Sequence, residues 1–309
     1  MRAITYSRYG GPDVLELTDL PTPKVGPDSV LIRVEAASVN PVDWKVREGK
    51  LDQLMDTVFP AVPGWDVAGV VEQVGLDTTE FSVGDEVYGY VRKDVVSGGT
   101  FAELVAAPVR TIAHKPDSLS WEEAAAVPLA GLAALQTIRR TGLIRGQTVL
   151  VHAAAGGVGS FAVQIAVARG ARVIGTASTA NHDYVRSLGA EPTTYGDGLA
   201  DRVLALSPDG VDVVLDFSGG DALSATPAVL RPGGTVASIT NAAARDEFGG
   251  HYVWVRPDVD GLRELAALAD GGKLRVEIAQ VFGLQEAAAA HELSRTGHVR
   301  GKVVVRVAD

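Results

Sequence analysis

Apolar and polar positions follow two different periods along the chain. In residues 30–34, 67–74, 86–91 and 101–105 the apolar residues come in short runs rich in β-branched side chains. Gly26-Pro27-Asp28, Gly75, Gly84-Asp85 and Gly98-Gly99 separate these runs. Short runs bounded by turn residues predict the strands of a small barrel or sandwich. Residues 1–6 alternate as a further strand. One helix is predicted inside this region: Asn40 stands at a capping position, Pro41 at the first helical position and Asp43 at the third.

From residue 122 the period lengthens. Residues 148–153 read as an apolar strand and 158–169 as a helix, then 172–177 as a strand and 180–188 as a helix. Residues 211–217, 235–240 and 251–255 read as further strands. Strands alternating with helices predict βαβ units and a parallel sheet. Beyond Gly271-Gly272 the texture reverts to strands at 275–282 and 302–307, with an alanine-rich helix over 284–294. The predicted class is α/β: a Rossmann-type domain, 122–270, inserted between the two parts of a β-rich domain, 1–121 and 271–309.

Composition removes several functions. The 309 residues suit two domains, at roughly 150 residues each. With 46 % hydrophobic and 21 % charged residues the chain is not disordered. The absence of cysteine excludes disulfides, catalytic thiols, iron–sulfur clusters and cysteine-ligated zinc. A formal charge of −10 argues against a nucleic-acid partner. The longest apolar run, 124–135, is broken by Pro128 and Gly131, well short of the roughly 20 residues of a membrane span. No membrane partner is expected, and the strand-like start of the chain makes the cytoplasm the expected location.

Ala153-Ala154-Ala155-Gly156-Gly157-Val158-Gly159 follows the strand 148–153 and opens a helix. Taken from Ala154, it is the dinucleotide fingerprint with alanine for the first glycine. Gly156 lets the backbone approach a pyrophosphate, and Gly159 lets the helix pack closely on the strand. Ala155, Gly157 and Val158 complete the turn, whose helix N-terminus offers unpaired N–H groups to phosphate. Selectivity for NAD usually places Asp or Glu at the end of the second strand. Here residues 175–182 hold no carboxylate before Asp183. Ser178 and Thr179 can donate to a 2′-phosphate, His182 and Arg186 can add charge, and Tyr195 can face the adenosine end. These positions predict NADPH.

Tyr9-Gly10-Gly11-Pro12-Asp13-Val14-Leu15, Ser38-Val39-Asn40-Pro41-Val42-Asp43 and Pro63-Gly64-Trp65-Asp66-Val67-Ala68-Gly69-Val70-Val71 occur in that order. Gly84-Asp85-Glu86-Val87, Gly99-Thr100-Phe101-Ala102-Glu103 and the alanine–glycine turn follow. Together they resemble the zinc-free medium-chain dehydrogenase/reductase superfamily, in its quinone oxidoreductase (zeta-crystallin-like) branch. The resemblance implies a GroES-like N-terminal domain, a Rossmann domain and a cofactor cleft between them. Where zinc-dependent relatives place cysteine and histidine ligands, this chain has Asn40 and Trp65, and neither an amide nor an indole replaces them. The six histidines show no ligand spacing, so no metal is expected. By position the resemblance also implies cofactor contacts from Ser218, Thr240 and Phe282. Phe282-Gly283-Leu284 stands where the family usually reads Phe-Pro-Leu, and His182 where many relatives have lysine.

Without a Lewis acid, an isolated ketone is hard to reduce. A conjugated acceptor needs less help, because the arriving charge delocalises into an enolate or quinol anion. The protein must hold the reactants in place and offer donors to the developing oxyanion. Asn40 and Lys45 are the candidate donors, Trp44 a flat wall and Asp43 their neighbour. The expected function is an NADPH-dependent, metal-free reductase of small-molecule quinones or α,β-unsaturated carbonyls. Two other readings stay open: an enoyl-thioester reductase of polyketide or fatty-acid type, and a non-catalytic NADPH-binding crystallin-like protein. A homodimer is expected through the edge strand 251–255, as the resemblance also implies.

Overall fold

The computed structural model describes residues 1–308 and shows two compact units, Met1–Leu129 with the segment from Arg256 onward, and Ala130–Val255. The first unit is built on β3 (Ser29–Val39), whose side chains are buried along nearly its whole length. A strand buried on both faces needs partners along both edges. β3 finds β4 (Asp66–Val74), β6 (Leu104–Pro108) and β15 (Lys302–Arg306), all antiparallel to it. Register shifts in the β3–β4 pairing mark irregularities, where extra residues bend a strand. The sheet runs β14-β15-β3-β4-β5-β7, with β5 (Glu86–Tyr90), β7 (Ile112–His114) and β14 (Ile278–Gly283). A separate hairpin joins β1 (Arg2–Thr5) to β2 (Glu16–Asp19). Val30, Ile32, Val67, Val87, Phe101, Ile112 and Val305 form the centre of the core.

Four helices matter to this unit, and one of them, α10 (Ala287–Arg295), sends Ala287 and Ala290 into its core. α1 (Pro41–Arg47) follows β3 directly. α2 (Trp121–Ala126) is capped by Ser120, whose Oγ accepts from Glu123 N while the Glu123 carboxylate accepts from Ser120 N. α9 (Val259–Asp270) presents Leu262 O to the Tyr88 hydroxyl and Asp270 to Ser118 N. The bounds 122–270 expected from sequence texture are therefore wider than the second unit. α2 and α9 look like part of an alternating βα run, but both pack in the barrel unit. Near residue 101 the strand begins later than its apolar pattern suggests: residues 101–103 pair with the β1 segment, through Ile4 N to Phe101 O and Glu103 N to Arg2 O, and β6 begins at Leu104.

The second unit holds an all-parallel sheet in the order β10-β9-β8-β11-β12-β13. Its strands are β8 (Thr148–Val151), β9 (Arg172–Thr176), β10 (Glu191–Thr193), β11 (Val211–Asp216), β12 (Leu230–Ser238) and β13 (His251–Tyr252). Leu150, Ile174, Val211, Val214 and Val236 form its core, which explains their near-continuous apolar runs. α3 (Pro128–Thr141) precedes β8, α4 (Gly157–Ala168) follows it, and α5 (His182–Ser187) follows β9 after a single 3₁₀ turn. α6 (Leu199–Leu206), α7 (Thr226–Val229) and α8 (Ala243–Asp246) connect the strands from β10 to β13. β13 is shorter than the expected 251–255. Among the described residues no helix is long and apolar enough to cross a membrane.

Candidate active site and cofactor-binding turn

The strand order reverses between β8 and β11, the place where open parallel sheets bind ligands. The alanine–glycine turn sits there. Ala153 takes a positive φ of 55°, which lets the chain leave β8 and enter α4 within a few residues. A Cβ on Gly159 would lie 2.1 Å from Ala153 O, so only glycine allows helix and turn to approach this closely. A Cβ on Gly156 would meet Ala153 O at 3.3 Å and little else of the protein. Gly156 caps α4 without a side chain. The N–H groups of Gly157, Val158 and Gly159 thus lack partners within the helix, and they suit the pyrophosphate of a dinucleotide. Ala155 is buried beneath them.

Six more expected contacts lie at or just beyond the ends of neighbouring strands. After β9, the Ser178 hydroxyl accepts from Asn181 Nδ2 at 3.2 Å, Thr179 is exposed, and the His182 Nε2 atom is buried without a protein partner. The first acid there, Asp183, is held by Arg186 at 2.6 Å, so each neutralises the other. Tyr195, just after β10, is exposed. Asp216, at the end of β11, shapes the next two loops. Its Oδ1 accepts from Ser218 N and Gly219 N, both at 2.9 Å. Its Oδ2 accepts from Ser238 Oγ at 2.7 Å and Thr240 Oγ1 at 3.2 Å. The Thr240 hydroxyl is engaged in this network, while the Ser218 side chain stands exposed on the turn. Burial pushes His152, which ends the β8 segment, down to about 4 against the pull of Asp216.

In the barrel unit the structure gathers a compact buried polar group at the junction of β3 and α1. Asn40 occupies the N-cap with extended backbone, but its side chain does not cap the helix. Asp43 supplies the reciprocal contact instead, its Oδ2 accepting from Asn40 N at 2.7 Å. The Asn40 amide turns the other way. Its Nδ2 donates to Asp66 Oδ2 at 2.8 Å, and its Oδ1 accepts from Lys302 Nζ. Asp66 also accepts from Ser38 Oγ and Leu129 N, both at 2.8 Å. Lys302 donates in addition to Val39 O at 3.3 Å. Asn40, Asp43, Asp66 and Lys302 are all essentially inaccessible to solvent. Burial, with the charge of Asp66 adding to it, pushes Asp43 up to about 8. Burial also raises Asp66 and lowers Lys302, and their mutual attraction opposes both shifts.

Lys45 and Trp44 stand apart from these contacts. The Lys45 and Lys50 ammonium groups lie 5.5 and 5.0 Å from the Trp44 ring centre, and Trp44 Nε1 is buried without a protein partner. Phe282 packs into the barrel core.

Residues 26–117 match the alcohol dehydrogenase GroES-like domain family, and residues 188–305 the zinc-binding dehydrogenase family. An NADPH-dependent alkenal/one oxidoreductase of Arabidopsis thaliana chloroplasts is 38 % identical, over 99 % of this chain and 79 % of its own. The chain belongs to the medium-chain dehydrogenase/reductase superfamily. A 2-methylene-furan-3-one reductase of Solanum lycopersicum is 36 % identical, over 99 % of this chain and 79 % of its own. The solved structure of the quinone oxidoreductase from Coxiella burnetii superposes with a TM-score of 0.89 at 38 % identity, covering 100 % and 99 % of the two chains.

In this dehydrogenase/reductase, the two positions that the resemblance matches to zinc ligands, Asn40 and Trp65, carry an amide and an indole, neither of which replaces such a ligand. Trp65 is buried, its ring edge-on to Tyr90 at 6.1 Å. Among the described residues no group of three or more His, Asp or Glu side chains is gathered to hold a metal ion. Sequence reasoning singles out Asn40 and Asp43 but misses Ser38, Asp66 and Lys302. The available signal was an acid and a lysine each opening an apolar strand, positions that normally carry no buried charge.

Proposed function

We propose that this protein reduces quinones and α,β-unsaturated carbonyl compounds at the expense of NADPH. The observation that carries the reading is the buried Asn40 amide, fixed by hydrogen bonds to Asp66 and Lys302. A hydrogen-bond donor is enough for an acceptor whose conjugation spreads the incoming charge onto oxygen. The names of the alkenal/one, furanone and quinone oxidoreductase relatives support the same substrate class.

When bound, NADPH supplies the hydride. The N–H groups at the start of α4 would hold its pyrophosphate, and Ser178, Thr179 and His182 its 2′-phosphate, the first acid after them in sequence, Asp183, being paired with Arg186. Tyr195 and Ser218 serve its adenosine and nicotinamide ends, while Thr240 acts through the Asp216 network. Asn40 and Lys45 offer N–H donors to the acceptor oxygen or the ribose, and Trp44 a flat apolar wall. A stopped-flow screen of NADPH oxidation against benzoquinone, enals, enones and saturated ketones tests the reading. Conjugated acceptors are expected to turn over and saturated ketones are not. A protein that binds NADPH yet reduces none of them is a non-catalytic binder, and the reading falls.

A further inference from the structure

Three strands bring together residues that lie far apart in sequence. Ser38 pairs directly with Asp66 across β3 and β4, and Val39 with Val303 across β3 and β15. That register sets the Asp66 carboxylate on one side of Asn40 and the Lys302 ammonium on the other. The two neighbours are chemically opposite. An ammonium only donates hydrogen bonds, and a carboxylate only accepts them. The amide therefore has one satisfactory orientation, with its carbonyl toward Lys302 and its NH₂ toward Asp66. Flipping it would set NH₂ against an ammonium and a carbonyl against a carboxylate, exchanging two charge-assisted bonds for two repulsive contacts.

The charge balance supports this arrangement. Asp66 accepts three hydrogen bonds, from Ser38, Asn40 and Leu129, which favours its ionised form. Asp43 accepts one and has no cation in contact, and burial pushes it up to about 8. The mutual attraction of Lys302 and Asp66 favours the charged form of each, against the burial that opposes both. An amide carries two N–H bonds, and Asp66 takes one of them. The other is left as a donor of fixed direction.

We propose that Lys302 and Asp66 are positioning residues that lock the Asn40 amide in this single orientation, so that its second N–H is presented to the reducible acceptor. The proposal rests on the reading of Asn40 as the donor. It adds that the donor's direction is set by two buried groups of opposite kind, contributed by two other strands and bridged by the amide itself.

Single-turnover reduction of but-3-en-2-one at saturating NADPH, with NADPH affinity and thermal midpoint measured alongside, tests it. Lys302→Met and Asp66→Asn are each expected to slow hydride transfer by about tenfold or more, with NADPH affinity within about threefold of wild type. Lys302→Gln, which keeps an N–H for the Asn40 carbonyl, recovers part of the loss. In an Asn40→Ala background, Lys302→Met should cost less than about twofold, because no amide remains to be oriented. If the two residues were merely structural, their substitution would lower the thermal midpoint and leave the single-turnover rate of the folded protein untouched. A folded Lys302→Met enzyme at wild-type rate, or losses that multiply fully in the double variant, overturns the proposal while leaving Asn40 as the donor. An Asn40→Ala enzyme at wild-type rate removes the underlying reading as well. Should Lys302→Met fail to fold, the charge-neutral pair Lys302→Met with Asp66→Asn carries the same comparison.

Discussion

At the scale of single residues, Asn40 shows how two roles that look alike in sequence separate in the structure. An asparagine before Pro41 and three residues ahead of Asp43 fits a helix cap and a catalytic donor equally well. Because Asp43 makes the capping contact, Asn40→Ala leaves that half of the cap in place. Asn40→Ala is expected to lower kcat for an enone by about 10- to 1000-fold, with a much smaller effect on NADPH affinity. Steady-state kinetics beside a binding titration decide it, and an unchanged kcat removes the donor role. Asn40→Asp is no neutral control, since it sets a second carboxylate against Asp66 at hydrogen-bond distance.

Asp43 itself makes a stability prediction. Its carboxyl is raised to about 8 in the folded chain, against 3.8 for an ordinary Asp. Between those values the folded state binds a proton that the unfolded state has lost, so this group's contribution falls as pH rises. His152 and His291 act the other way. Burial lowers them to about 4 and about 3, from 6.5. The unfolded state binds their protons first, so stability falls as pH drops below 6.5. Each group contributes a slope of up to about 1.4 kcal/mol per pH unit. From pH 4 to 6.5 the two histidines outweigh Asp43, and from 6.5 to 8 Asp43 acts against stability alone among the three. Asp43→Asn is isosteric with the protonated acid and carries no titrating proton. Calorimetry should show the variant gaining on wild type steadily as pH rises from 6.5 to 8. A constant difference between the two over that range would falsify the assignment.

At the scale of elements, legibility followed sequence distance. The α4 turn was readable because strand, glycines and helix lie within one local stretch, and each glycine answers to a geometric need. The Asn40 group was not, because its contacts bridge 26 and 262 residues and depend on strand register that no local spacing encodes. The bounds 122–270 differ from the second unit for a related reason: a change of texture along the chain marks where helices begin, not against which sheet they pack. The turn yields a paired prediction. Gly159→Ala forces a Cβ to 2.1 Å from a backbone oxygen and should destabilise the fold by roughly 1–3 kcal/mol or more. Gly156→Ala meets only Ala153, its O at 3.3 Å and its Cβ at 4.0 Å, and should fold normally. Its NADPH affinity should nevertheless drop, since the added methyl occupies space meant for phosphate. Normal NADPH binding by a folded Gly156→Ala protein would move the pyrophosphate away from this turn. At the end of β9, Ser178→Asp should weaken NADPH more than NADH in the same titration. Equal weakening would show that the 2′-phosphate lies elsewhere.

At the scale of the whole molecule, the question is what becomes of the open edge of the parallel sheet. β13 is the last strand in that sheet and pairs only with β12. Val253 N–H reaches Ser238 O, so the backbone alternation turns the Tyr252 N–H and C=O outward, away from β12. Tyr252 and Trp254 expose 37 % and 42 % of their surface beside that edge. Unpaired strand groups flanked by exposed aromatics favour pairing with another strand, and no Pro or Lys within β13 protects the edge. A second copy related by a two-fold axis would satisfy both edges at once and close the assembly as a dimer. The expected mass by light scattering at micromolar concentration is that of a homodimer. Tyr252→Pro removes only the outward N–H and leaves the ladder to β12 intact. It should therefore give a folded monomer that still binds NADPH at the α4 turn. If wild type already runs as a monomer, or Tyr252→Pro remains a dimer, the pairing lies on another surface.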